Sequence, residues 1–189
     1  MPRHQEILLA AEKLFFERSF DGVGVDDIGK AAGTSGSAIY RHFSGKDEIL
    51  AALFSRMLDE LLVQSGKPGS DPYEELDSLL RGFIELAMSH EKLAAIWVRE
   101  QRSLADPYRR EHFRRLHRFS DRWVECLGRC YQGRSREELV VAARAVQTML
   151  LSEALRPPET RRLGSAPELM LQMARASLTA LNAPGTERG

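Results

Sequence analysis

From Arg3 to Arg18 the apolar residues Ile7, Leu8, Ala11, Leu14 and Phe15 recur three and four positions apart, the spacing that lines one face of a helix. The pattern closes near Asp21-Gly22. A shorter stripe follows in Val25, Ile28 and Ala32; Asp26 and Asp27 suit its first turn, and Gly33 can take the left-handed conformation that stops it. Ser35 is a natural cap for a third, short helix, in which Ile39 and Phe43 point inward while Ser37, Tyr40 and Arg41 fall on the opposite side.

Beyond Lys46 the pattern is helical almost to the end. Ile49, Leu50, Leu53, Met57, Leu58, Leu61 and Leu62 form a long stripe closed by "SGKPGSDP" at 65–72. Leu76, Leu79, Leu80, Phe83, Ile84 and Ala87 form the next, Leu93 to Val98 a short apolar piece with Trp97, and Asp106-Pro107 opens a helix whose buried line is Phe113, Leu116, Ser120, Trp123, Leu127 and Cys130. "QGRSRE" at 132–137 breaks it. Leu139 to Leu155 is the most apolar helix, "RPPETRRLGSAP" at 156–167 separates it from a last one over 168–181, and the tail after Asn182 is expected to fray. No alternating strand pattern or internal repeat interrupts this, so the prediction is an all-α fold of about nine helices. Its expected division is a helix-turn-helix domain over 1–45, a larger helical domain over 46–182 and a tail over 183–189.

Composition narrows the possibilities. With 189 residues, 43% of them hydrophobic, the chain can bury a real core. Lys plus Arg and Asp plus Glu both number 27, so affinity for a polyanion has to come from where charges stand. Residues 1–50 hold six Lys/Arg against eight Asp/Glu, which by itself weighs against nucleic acid. Cys126 and Cys130 are the only cysteines, one helical turn apart, a poor spacing for a disulfide and too few for a thiolate metal site. There is no apolar signal run and no stretch near the roughly 18 apolar residues of a membrane span. A soluble, cytoplasmic protein without cofactor or metal is the expectation.

The stretch "AAGTSGSAIYRHFSGKDEIL" at 31–50 carries the chemistry. A helix, a glycine turn and a short second helix with small residues at its start are the layout of a helix-turn-helix, which sends the second helix into the major groove N-terminus first. Residues 3–50, with the paired Leu14-Phe15 and "DDIGKAAGTSGSAIYRHFSGKDEIL", resemble the DNA-binding domain of the TetR family of transcriptional regulators. Two positions depart from the family pattern: Gly24 stands where a capping Thr is usual, and Gly36 where a lysine or another larger residue is common. The resemblance implies double-stranded DNA as partner. It places Tyr40, Lys46 and the backbone near Gly24 and Ser35 on phosphates, Ser37 on a base, Ala38 on a thymine methyl, Arg41 on a base edge or a phosphate and His42 at the border between core and DNA. Gly36, in the same DNA-facing set, lacks the side chain for a backbone contact.

The larger domain of that family holds a ligand, and the resemblance implies a small hydrophobic or lipid-like effector here, such as an acyl-coenzyme A. Met57, Phe83, Trp97, Phe113, Phe119, Trp123 and Met149 are the expected pocket lining. Eight arginines against four acidic residues between Arg99 and Arg122 offer either a solvated helix face, with Arg114, Arg118 and Arg122 one turn apart, or a basic rim for an anionic head group. "WVREQRSL" with the Arg-rich helix after it resembles actinobacterial members linked to lipid catabolism. Val146, Leu150, Leu169, Met170, Met173 and Leu178 are the expected homodimer interface, which would place two reading helices about 34–36 Å apart, or a multiple, on a palindromic operator.

Two other readings compete: a DNA-binding regulator without a small-molecule effector, and an all-helical enzyme. The enzyme lacks a catalytic set. "GTSGS" has Ser37 where a nucleophile elbow needs glycine, His112 and His117 point in different directions, and His117 with Asp121 makes at most a local pair.

Overall fold

The computed structural model describes residues 2–155 and 164–182. Among them the chain forms nine α-helices: α1 (Arg3–Arg18), α2 (Val25–Ala31), α3 (Gly36–Ile39), α4 (Lys46–Gln64), α5 (Pro72–Ser89), α6 (Glu91–Glu100), α7 (Tyr108–Cys130), α8 (Arg136–Leu151) and α9 (Ala166–Thr179). Short 3-10 turns follow α8 and α9, and the described residues contain no strand. The all-α expectation holds. The tail expected over 183–189 and most of the separator at 156–167 lie outside the described residues.

Caps explain the boundaries. Asp71 accepts the N–H groups of Tyr73 (2.8 Å) and Glu74 (3.4 Å) with Pro72 in the first turn, so α5 starts where the loop ends. Ser135 and Glu138 form a reciprocal capping box, with Oγ accepting the Glu138 N–H at 3.2 Å and the carboxylate accepting the Ser135 N–H at 2.9 Å. That box starts α8 three residues earlier than its apolar stripe.

The described residues fall into two compact units. One comprises Met1–Asp59 with Glu91–Leu116, the other Glu60–His90 with His117–Gly189. The sequence division at residue 45 does not contain this grouping: α6, expected in the larger domain, packs with α1. In the first unit α1, α2 and α3 enclose Ile7, Phe15, Ile28 and Ile39, all fully buried. Phe43 is buried as expected of a core residue, and the His4 ring stacks on it at 4.6 Å.

In the second unit α5, α8 and α9 pack on one another. Leu79, Leu80, Leu150, Leu171, Ala174 and Leu178 are buried there. The residues expected at the interface divide by burial. Val146, Leu150, Met170 and Leu178 face inward and cover α5, α8 and α9 themselves, whereas Leu169 and Met173 are about half exposed (48% and 50%). On α8 the outward stripe is Val141, Ala145 and Thr148. Each helix thus carries two apolar faces, and sequence spacing alone does not say which one its own chain covers.

The helix-turn-helix depends on one close approach. A Cβ built on Gly29 would stand 2.7 Å from the Gly36 backbone nitrogen and 2.8 Å from the Ser35 carbonyl carbon, distances side chains do not tolerate. Both glycines are buried, and both obstructing groups are backbone. Gly29→Ala is expected to lower stability by about 1–3 kcal/mol through overpacking. Thermal and urea unfolding of the purified variant would check this; an unchanged midpoint in both would mean that α2 and α3 separate freely.

Candidate nucleic-acid interface

The turn between α2 and α3 is a Schellman arrangement. Gly33 has φ +67°, its N–H donates to the Lys30 carbonyl at 3.1 Å, and the Thr34 N–H reaches back to the Gly29 carbonyl at 2.9 Å. Ser35 then caps α3, its Oγ accepting the Ala38 N–H at 3.2 Å and sharing a hydrogen bond with Ser37 Oγ at 2.9 Å. The turn does not end at Ile39: Arg41 donates to Ala38 O, and His42 and Phe43 both donate to Ile39 O. This continuation keeps residues 40–43 rigidly placed relative to the buried Ile39 and Phe43.

The expected DNA-facing residues divide into two groups. Ser35, Ser37, Tyr40, Arg41 and His42 are exposed, Tyr40 by 61%, and Ala38 is half-buried between them. Tyr40, Arg41 and His42 project beyond the helix while their neighbours anchor it. The other three candidates serve the fold. Gly24 is the N-cap of α2, and its own N–H is already given to Asp27 Oδ2 at 3.0 Å. Gly36 is buried against α2.

Lys46 turns inward. Its Nζ donates to the carbonyls of Phe20 (3.1 Å) and Val23 (3.4 Å) and lies 4.3 Å from the centre of the Phe20 ring. Two of its three donors are thus committed to the link between α1 and α2.

Phe20 gathers further contacts that its sequence position did not announce. Its N–H donates to the buried Glu100 at 3.3 Å, and its ring meets Phe15 at 5.4 Å. Arg99, next to Glu100, donates to the carbonyls of Phe15 (3.4 Å) and Phe16 (3.0 Å) at the end of α1, where helical donors run out. The "WVREQ" segment therefore closes α1 within the first unit. Its signal was a charged pair ending an otherwise apolar helix.

The expected pocket residues lie in separate clusters. In the first unit Met57 is fully buried and Trp97 donates its Nε1–H to His112 Nε2 at 3.2 Å, with Phe54 and Phe113 near the imidazole at 5.2 and 5.5 Å. Burial, then the charge of Arg115, pulls the His112 pKa down to about 4, so the ring is neutral near pH 7. In the second unit Phe83 meets Phe119 at 5.7 Å and Trp123 edge-on at 5.3 Å, while Met149 is half-buried on α8. Trp123 is fully buried, yet its Nε1 has no hydrogen-bond partner among the described residues.

The arginine excess is largely engaged internally. Arg122, expected on a solvated face or rim, is 14% exposed and donates to Glu75 (3.0 Å), Gly66 O (2.8 Å) and Ser65 O (3.1 Å). Arg129 binds the same carboxylate and Gly69 O. Burial raises the Glu75 pKa, but the hydrogen bonds from Arg122, Arg129 and the Gly69 N–H outweigh it and hold the carboxyl below its ordinary range. Arg115 reaches Ser55 and Asp59, and Asp121 pairs with Arg136 at 2.6 Å and not with His117. Cys126 and Cys130 are free and buried; burial, with the neighbouring Cys130 and Glu75, pushes the Cys126 thiol up to about 12.

A short helix packed through glycines onto α2, with its outer side exposed, defines the helix-turn-helix motif. Residues 7–53 match the model of bacterial regulatory proteins of the tetR family. Over 86 residues the chain is 30% identical to the HTH-type transcriptional activator FasR of Mycolicibacterium smegmatis, covering 44% of this chain and 39% of that protein. Over 106 residues it is 29% identical to the HTH-type transcriptional repressor KstR2 of Mycobacterium tuberculosis, covering 54% and 53%. The matches thus span about half or less of these curated relatives.

In fold, the chain is similar to the ketosteroid transcriptional regulator KstR2 of Mycobacterium tuberculosis (TM-score 0.79, 22% identity, 95% of this chain and 94% of that one). It is also similar to AibR, solved in complex with isovaleryl coenzyme A and operator DNA (TM-score 0.77, 20% identity, 95% and 97%). Residues 7–53 thus match the tetR-family model, and the chain shares the fold of solved TetR-family regulators. Among its described residues no helix is long and apolar enough to cross a membrane.

Lys46→Met is expected to remove the inward hydrogen bonds and lower the melting temperature by about 3–8 °C. The slope of log affinity for DNA against log salt should stay the same, whereas removing one phosphate-neutralising charge would reduce that slope by about 0.9. Melting curves and a salt series distinguish the inward role from a phosphate-binding one.

Proposed function

We propose that the protein is a ligand-responsive transcriptional repressor that binds a palindromic operator as a homodimer and is released by a small hydrophobic effector, with an acyl-coenzyme A as the first candidate class. The observation that carries the DNA-binding half is the exposed set Ser37, Tyr40, Arg41 and His42, held over a buried Ile39 and Phe43. Tyr40 donates to a phosphate, Arg41 reaches a phosphate or a base edge, Ser37 reads at close range and Ala38 meets a thymine methyl. Ser35 adds its position at the helix start.

The effector half rests on the second unit. Trp123 presents an unsatisfied indole N–H beside Phe83 and Phe119, a donor suited to a carbonyl oxygen on an otherwise apolar ligand. The fold likeness to AibR, whose complex holds isovaleryl coenzyme A, supports an acyl thioester as that ligand. Switching requires the ligand to favour one state of the dimer; coupling of about 1–3 kcal/mol is typical.

The test is fluorescence-polarisation binding to DNA drawn from around the protein's own gene, with and without acyl-coenzyme A and lipophilic ligands. Specific binding released by one ligand class is the expected result. Tyr40→Phe with Arg41→Ala is expected to weaken that binding about tenfold or more while ligand affinity is unchanged. Specific binding that no ligand disturbs would overturn the effector half and leave a regulator governed by abundance or a protein partner.

The dimer face we assign comprises the outward stripes of α8 and α9: Val141, Ala145 and Thr148 with Leu169, Met173 and Ala176. A groove of about 520 Å³ runs between these helices, lined in part by Val141, Ala142, Ala145 and Leu181. Val141→Glu with Met173→Glu is expected to yield monomers by light scattering without loss of helical signal. A double variant that remains dimeric would place the interface elsewhere.

A further inference from the structure

The two neighbouring aspartates that open α2 have different fates. Asp27 is committed to the cap, accepting the Gly24 N–H. Asp26 is exposed and makes no hydrogen bond or ion pair with any described residue. Its carboxylate lies against the first residue of the reading helix. A Cβ built on Gly36 would overlap Asp26 Oδ1 and stand 3.0 Å from its Cγ and 3.2 Å from its Cα. The acidic side chain of α2 thus fills the volume that a side chain at the tip of α3 would occupy, and the exposed Ser37 stands next to it.

A carboxylate at the leading end of a groove-entering helix repels phosphates and can only accept hydrogen bonds. In the major groove its complement is an exocyclic base amino group, cytosine N4 or adenine N6; carbonyl edges at guanine O6 and thymine O4 oppose it. Resting on the proposed DNA-binding function, we infer that Asp26 is a specificity-determining residue that reads one such amino group in each half-site, and that Gly36 is the glycine that admits it. The chain thereby moves a base-reading position from α3 to α2. Asp26 lowers affinity, through phosphate repulsion, while sharpening discrimination at one base pair.

The experiment is selection of full-length protein on double-stranded DNA carrying a random 30-base-pair core, followed by sequencing, for wild type, Asp26→Ala, Asp26→Asn and Gly36→Ala. Wild type is expected to fix cytosine or adenine at one position per half-site, and the enriched base says which amino group is read. Substituting thymine for that base should weaken binding about tenfold. Asp26→Ala should flatten that position alone and strengthen binding to unrelated DNA. Asp26→Asn should shift it to adenine, which an amide pairs at N6 and N7. Gly36→Ala, by displacing the carboxylate, should flatten the same position as Asp26→Ala.

A wild-type motif that Asp26→Ala and Asp26→Asn leave unchanged at every position would overturn the assignment while leaving the DNA-binding function standing. Enrichment of no sequence by wild type would remove both. Circular dichroism of each variant separates loss of reading from loss of fold.

Discussion

The DNA-binding unit depends on one contact between backbones, that of Gly29 on α2 with Ser35 and Gly36 at the start of α3. A four-residue helix cannot hold its own orientation, because so few internal hydrogen bonds do not offset the order they require. Orientation has to be imposed by what the helix touches. Here the imposing surface is a helix face stripped of its side chain, and the turn between the two helices is closed by hydrogen bonds to Gly29 O and Lys30 O. The positions of Ser37, Tyr40 and Arg41 follow from that approach.

A second constraint acts around Phe20, where three parts of the first unit meet at one residue. Glu100 takes its N–H, Lys46 binds its carbonyl and covers its ring, and Phe15 packs beside it. Arg99 meanwhile satisfies carbonyls at the end of α1. Glu100 and Lys46 are therefore directed at the short link after α1, and Arg99 at the last turn of α1 itself. Charge-assisted hydrogen bonds in a half-buried setting resist displacement more than apolar contacts, which can slide. The joint that sets the reading helix relative to α4 and α6 is directional.

Much of this was legible in the sequence. The span of α1, the cap at Ser35, the left-handed Gly33 and the inward Ile39 and Phe43 all follow from local periodicity and turn chemistry, which act within a few residues. What was not legible depends on long-range partners. Lys46 has the exposure-seeking character of any lysine, and only the carbonyls of Phe20 and Val23, more than twenty residues away, explain its inward turn. Gly36 reads as an open surface until α2 is placed against it. The outer and inner faces of α8 and α9 are both apolar, so the stripe that covers α5 cannot be told from the one left free. Glu100 and α6 are remote in sequence from the unit they join.

The charge distribution bears on how such a molecule recognises a polyanion. Its arginines are largely neutralised in place: Arg122 and Arg129 around Glu75, Arg115 on Asp59, Arg175 and Arg81 on Asp77. A guanidinium already hydrogen-bonded to a carboxylate contributes little long-range field, since the pair is close to a dipole. With no net charge on the chain to draw in DNA, the proposed reading by residues 35–42 would rest on short-range contacts. Short-range contacts reward close fit and penalise a wrong base, whereas counterion release rewards any phosphate. On the proposed function, a reader without net charge whose helix is fixed by glycine contacts is suited to discriminate among sequences more than to hold DNA indiscriminately.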